Sequence, residues 1–191
     1  MKNEIEIPKL EEQILKIHIE GISPLVVNKN HFTVTNADEG GKKAKKERNP
    51  EQEFLDSIHW IDEEKGISGF PARGFKAACV TAGSILSKKD YAKNRTRASF
   101  FIPMELVAIE GAPKMRTDVV RLMGRTPDKR YRAEYWPWKA TIEVSYSILG
   151  IEQILQLFQE AGYRVGVGED RPEKGGSWGR FKVVGAEKYG R

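Results

Sequence analysis

The length and composition describe one highly charged globular chain. Its 191 residues suffice for a single hydrophobic core, 39% of them are hydrophobic and 31% are charged. No apolar run approaches a membrane span, and the acidic start lacks the apolar region of a signal peptide, so we expect a cytoplasmic protein without a membrane partner. A single Cys excludes an internal disulfide. The one Cys and three scattered His do not have the spacing of a zinc-binding motif, so neither a metal nor a cofactor is predicted.

The positive charge is modest in sum but clustered along the chain. The formal net charge is +5. Residues 86–99 hold five bases against one acid, and residues 114–139 hold eight bases against three acids. Such clustering of basic residues favours a polyanionic partner. The alternative is that these charged residues only keep surface loops hydrated.

The first elements are predicted from alternation and from capping residues. Residues 15–20 alternate apolar and polar, which indicates a half-buried strand. Residues 35–49 contain no large apolar side chain, so we predict a mobile loop inserted after that strand. The pair Asn49-Pro50 is typical of a helix start, and residues 57–70 are expected to form a hairpin over the sheet.

The first long helix is predicted to open at Pro71. One face carries small and apolar residues for close packing on a sheet, namely Phe75, Ala78, Cys79 and Ala82. Arg73 and Lys76 lie near its N-terminus, where a helix attracts phosphate, so both are candidate phosphate contacts.

The following stretch combines an apolar strand with a basic, aromatic insertion. Residues 100–109 are apolar on both faces, which predicts one central strand, with Pro103 at an edge or bulge. Residues 110–137 interleave rings with cations, the pattern that single-stranded nucleic acid uses for stacking, and a short strand is predicted near Val119. Trp138 is expected in the core, at the head of a strand that ends at Tyr146.

A glycine-rich loop, residues 162–181, separates the last helix from the last strand. It holds six glycines and four bases in GYRVGVGEDRPEKGGSWGRF. An amphipathic helix over 151–161 precedes it, with Gly162 as the predicted C′ residue, and a strand at 181–184 follows. Glycine permits positive φ and arginine suits phosphate, so the loop is predicted to cradle an anionic backbone. The order helix, loop, strand excludes a dinucleotide fingerprint, but a purely structural turn remains the alternative.

Without its insertions, the chain order is strand, helix, strand, strand, helix, strand. This order predicts an α+β, modified ferredoxin-like (βαββαβ) or RNA-recognition plan in a single domain over 1–191. The domain has two helices, a long loop after strand 1 and a hairpin between strands 2 and 3. The basic-Gly-aromatic signature of base-stacking sheets is absent, so recognition on the sheet face is not predicted.

Three segments together resemble the RAMP superfamily of CRISPR effector proteins, especially the backbone subunits that coat guide RNA. They are GISPL at 21–25, ISGFPARGFKAAC at 67–79 and GRF at 179–181. The resemblance implies a modified ferredoxin-like fold, a hairpin thumb at 110–137, and repeated subunits on single-stranded RNA. RNA-cleaving backbone subunits carry an aspartate in the loop after strand 1, and Asp38 has no surroundings that identify it as catalytic.

The leading hypothesis is a non-catalytic subunit that coats single-stranded nucleic acid, with RNA favoured, and that associates with itself or with other effector subunits. A metal-independent RNA endonuclease is the alternative enzyme, with His31 as first candidate and His59 as second. A virus- or plasmid-borne subunit mimic that acts by protein–protein contact is the third. The predicted nucleic-acid-binding residues are Arg73, Lys76, Lys88, Lys89, Arg95, Arg97, Arg125, Arg130, Arg132, Arg164, Arg171, Lys174 and Arg180.

Overall fold

The computed structural model describes residues 12–29, 48–122 and 126–189, which form an α+β fold. The strands in these ranges are β1 (Gln13–Gly21), β2 (Leu25–Val27), β3 (His59–Asp62), β4 (Ile67–Pro71), β5 (Phe100–Phe101), β6 (Leu106–Glu110), β7 (Pro113–Leu122), β8 (Thr126–Tyr135), β9 (Lys139–Tyr146) and β10 (Phe181–Tyr189). The α-helices are α1 (Pro50–Asp56), α2 (Ala72–Leu86), α3 (Lys93–Ser99) and α4 (Ile151–Glu160). The predicted class is confirmed, and α2 and α4 are the two predicted long helices. None of the helices in these ranges is long and apolar enough to span a membrane.

The main sheet is antiparallel and has the strand order β10-β1-β9-β6-β4-β3. Strand β9 pairs along one edge with β1, and β5 and β6 share its other edge. The prediction of one strand over 100–109 is therefore wrong. Residues 100–101 and 109–110 pair with β9 in registers three residues apart, so the chain between them leaves the ladder. Pro103, which has no N–H to donate, lies in that break.

The hydrophobic core lies between one face of the main sheet and helices α2 and α4. The predicted alternation holds in β1, where Leu15, Ile17 and Ile19 are buried and His18 is on the other face. The predicted face of α2 and the alternate residues of β9 are also buried, namely Phe75, Ala78, Cys79, Ala82, Ala140, Ile142, Val144 and Tyr146. Trp138 is buried as well, which confirms its core assignment.

A second sheet, in the order β2-β8-β7, carries the long antiparallel pair of β7 and β8, which we call the β7–β8 hairpin. The short strand predicted near Val119 belongs to the ten-residue strand β7. Helix α1 is joined to this sheet because the Ala133 amide donates to Ser57 Oγ at 2.9 Å. The predicted cap is confirmed, since Asn49 Oδ1 accepts from the amides of Glu51 and Gln52.

Several predictions fall partly or wholly outside the described residues. These include His31, Asp38, Arg125 and residues 35–47 of the predicted mobile loop. Arg48 is described, and its guanidinium forms ion pairs with Glu53 and Asp128, both at 2.6 Å. This end of the predicted loop is therefore tied to α1 and to the hairpin.

The end of helix α4 differs from the prediction. Gly162 is not the C′ residue, because a π-helical turn, Ala161–Val165, continues α4 and ends at Gly166 with φ of 70°. A Cβ on Gly162 would lie only 2.1 Å from the carbonyl oxygen of Phe181. Gly162 thus serves the close approach of the helix to β10, and Gly166 provides the left-handed residue.

Candidate nucleic-acid interface

The glycine-rich loop is held against the turn between β1 and β2. The Gly179 amide donates to Pro24 O at 2.7 Å, and the Arg180 amide donates to Ser23 Oγ at 2.9 Å. The Glu169 amide donates to Val26 O at 2.9 Å. Two of the three segments quoted for the family resemblance, 21–25 and 179–181, therefore lie in direct contact.

The same loop forms one wall of a cleft of about 860 Å³ beside the first turns of α2. The irregular segment between β5 and β6, the end of β2 and the start of β3 also line the cleft. The structure thus joins two features that the sequence suggested separately, the start of α2 and the glycine-rich loop. The charged and aromatic residues that line the cleft are Lys29, His59, Arg73, Phe70, Lys76, Phe101, Glu105, Glu169, Arg171 and Glu173.

Arg73, Lys76 and Lys29 give this cleft its unpaired positive charge. None of the three forms an ion pair with a carboxylate of the described residues. The Lys76 ammonium lies 4.3 Å from the centroid of the Phe101 ring, and burial lowers the pKa of Lys76. Burial, and then the charges of Lys29 and Arg73, lower the pKa of His59, so this imidazole is neutral at pH 7.

A smaller cleft of about 400 Å³ continues across α2 toward α3. Arg73 and Lys76 line both clefts, and Lys93 and Arg97 add two further cations to the smaller one. We call the two clefts together the α2 groove. The remaining predicted bases of this region are exposed but do not line the groove: Lys88 and Lys89 lie in the turn between α2 and α3, and Arg95 lies on α3.

Three bases of the β7–β8 hairpin, Arg116, Arg130 and Arg132, have acidic partners within the fold. The Arg132 side chain is only 6% exposed and pairs with Asp118 at 2.7 Å and Glu169 at 3.3 Å. Arg130 lies 3.5 Å from Asp128. The burial of Arg132 argues against its predicted contact with nucleic acid, because its guanidinium is committed to joining the hairpin to the glycine-rich loop.

Two of the four bases of the glycine-rich loop, Arg164 and Arg171, have acidic partners inside the protein. Arg171 donates to Gly168 O at 3.0 Å and to Glu173 at 2.7 Å, so its predicted role in binding phosphate competes with a structural one. Arg164 pairs with Glu160, and Lys174 is exposed. Arg180 has no acidic partner among the described residues, and its Cζ lies 4.9 Å from the centroid of the Tyr163 ring.

Sequence reasoning missed Lys29, Lys93 and Phe101 as groove residues. Lys93 lies in the basic segment 86–99, where the sequence shows its charge but not that its side chain lines the groove. Phe101 belonged to an apolar run, and only the proline two residues later indicated that the strand stops there.

The fold has a counterpart among solved structures. A chain of the cryo-EM structure of the Type III-B Cmr-beta bound to cognate target RNA superimposes with a TM-score of 0.56 at 10% sequence identity, over 93% of this chain and 60% of that chain. The two chains share a fold. The present chain thus spans about 60% of the length of the solved chain that it matches. No family model matches the sequence, and a comparison with curated proteins gives no match.

Proposed function

We propose that the chain is a RAMP-like subunit of a CRISPR effector complex that binds single-stranded RNA in the α2 groove without cleaving it. The strand order β10-β1-β9-β6, with α2 and α4 on one face, supports the proposal of a ferredoxin-like sheet. We propose that the β7–β8 hairpin is the thumb of this single domain. The solved chain of similar fold belongs to a complex bound to RNA, which supports the choice of ligand.

The observation that carries this proposal is the set of unpaired cations along the α2 groove. Arg73, Lys76, Lys93 and Arg97 line the groove without carboxylate partners in the described ranges, whereas the hairpin bases Arg130 and Arg132 each pair with an acid. Unpaired surface charges repel each other and gain most from a polyanion.

Charge reversal tests this proposal. We expect Arg73→Glu and Lys76→Glu to weaken binding of a fluorescent single-stranded RNA by at least about tenfold to a hundredfold each, because one charge-assisted hydrogen bond contributes roughly 1.5–3 kcal/mol. Lys188→Glu is the control, since Lys188 is an exposed lysine of β10 outside the groove. Groove variants that fold and bind like the parent would contradict the proposal. Parallel titrations with DNA of the same sequence test the preference for RNA.

The partner proposal has its own test. We propose that several copies, or this chain with other effector subunits, cover one RNA strand. Size-exclusion chromatography with multi-angle light scattering should then show mass that rises in steps as the RNA is lengthened. A complex that keeps one copy on every length of RNA would contradict repeated coating.

Metal-independent RNA cleavage is the second candidate function, and His59 is the observation that favours it. The imidazole lies in the α2 groove and is neutral at pH 7, so it is able to accept a proton from a ribose 2′-hydroxyl. Lys29 and Arg73 add positive charge close to it. If bound RNA is cleaved in the presence of EDTA, and His59→Ala binds RNA but no longer cleaves it, this candidate replaces the non-catalytic one.

A further inference from the structure

Phe101 is exposed in a way that the other phenylalanines are not. Of the seven phenylalanines in the described part of the chain, Phe101 alone is largely exposed to solvent, with 56% of its surface accessible. Its neighbour Phe100 is fully buried and packs on Phe158, with ring centroids 6.0 Å apart. Because successive strand residues point to opposite sides, β5 buries one ring and presents the other to the α2 groove.

The surroundings of this ring suit a nucleotide. Lys76 Nζ lies over it at 4.3 Å from the centroid, and Arg73 lies one helical turn before Lys76. Ile102 and Met104 add apolar surface to the same wall of the groove. A ring with cations beside it is the arrangement on which single-stranded nucleic acid stacks its bases while its phosphates are neutralised.

We propose that Phe101 is a stacking platform for one unpaired nucleobase of the bound strand, with Lys76 and Arg73 on the adjoining phosphates. This inference rests on the proposed function of the α2 groove and adds what the groove recognises. The ligand is then an unpaired base together with its backbone, and not a polyanion alone. A duplex, whose bases are stacked inside, and a strand that lacks bases are both poorer ligands.

The experiment compares a short single-stranded RNA with the same ribose–phosphate chain carrying abasic sites, by fluorescence anisotropy at fixed salt. The parent is expected to prefer intact RNA by about fivefold to a hundredfold, the range measured for stacking of one base on an aromatic side chain. Phe101→Ala and Phe101→Leu should lose that preference, and Phe101→Trp should keep it. Melting curves should be nearly unchanged, because the ring is exposed.

Tyr189→Ala is the matched control. Tyr189 is 52% exposed, and Lys16 Nζ lies 4.4 Å from its ring centroid, but neither residue lines the groove. If Phe101→Ala keeps the preference for intact RNA, or Tyr189→Ala loses as much of it, the platform is overturned. In that case the proposed function still stands if Arg73→Glu weakens binding. If the parent binds neither RNA, both are overturned.

Discussion

Replacing Gly179 by alanine should destabilise the protein far more than replacing Gly175, although both glycines have positive φ. Gly179 has φ of 65° and is buried, and a Cβ there would lie 1.7 Å from Val167 O. Gly175 has φ of 85°, and a Cβ there would meet nothing within 4 Å. A left-handed alanine costs about 1–2 kcal/mol at either site. At Gly179 the added methyl must also push Val167 away, and the loss of the buried hydrogen bond from the Val167 amide to Gly179 O costs about 1–3 kcal/mol more.

The two variants therefore separate backbone strain from steric exclusion. The sums are about 2–5 kcal/mol for Gly179→Ala and about 1–2 kcal/mol for Gly175→Ala. At 2–4 °C per kcal/mol for a chain of this size, the melting temperature should fall by roughly 4–20 °C and 2–8 °C. Thermal melting followed by circular dichroism measures both in parallel with the parent. Equal losses would refute the argument that the close approach of Val167 excludes a side chain at position 179.

Three further predictions concern buried charge, pH and salt. Arg132→Ala should cost about 1.5–3 kcal/mol in urea unfolding because it removes the charge-assisted hydrogen bond to Asp118, which keeps Arg116 as its other partner, whereas Lys114→Ala, at an exposed site, should stay within about 0.5 kcal/mol of the parent. Because burial lowers the pKa of His59, the unfolded chain binds more protons below about pH 6.5, so stability should fall as the pH decreases through that region, and the fall should be smaller in His59→Asn. The logarithm of RNA affinity should decrease linearly with the logarithm of salt, by about 0.7 per phosphate contacted, and an affinity independent of salt would rule out a groove that works by charge.

The elements that sequence reasoning predicted well depend on residues close together in the chain. Alternation alone identifies β1, and Asn49 caps α1 through amides only two and three residues ahead. The buried face of α2 follows from its helical spacing. Each of these features requires only the local backbone conformation, so the pattern of residues is sufficient evidence.

The errors arose where distant residues decide the outcome. The break in the apolar run 100–109 depends on two different registers against β9, which no pattern within the run reveals. Gly162 is needed because Phe181 approaches it, and not because a helix ends there.

The candidate site was less predictable than the fold because the sequence shows charges but not their partners. Arg132 and Arg73 look alike in a basic sequence. One is buried between two carboxylates, and the other is exposed in a groove without an ion pair in the described ranges. The exposed ring of Phe101 was hidden in the same way, inside an apolar run that resembled a core strand.

Photocrosslinking tests the central claim most directly. Single-stranded RNA that contains 4-thiouridine is bound to the protein, irradiated and digested, and the crosslinked peptides are identified by mass spectrometry. If RNA binds in the α2 groove, we expect crosslinks within residues 72–76 and 100–106, and we expect those crosslinks to be lost in Arg73→Glu. Crosslinks confined to the polar face of the main sheet, around Lys16 and His18, would contradict the account.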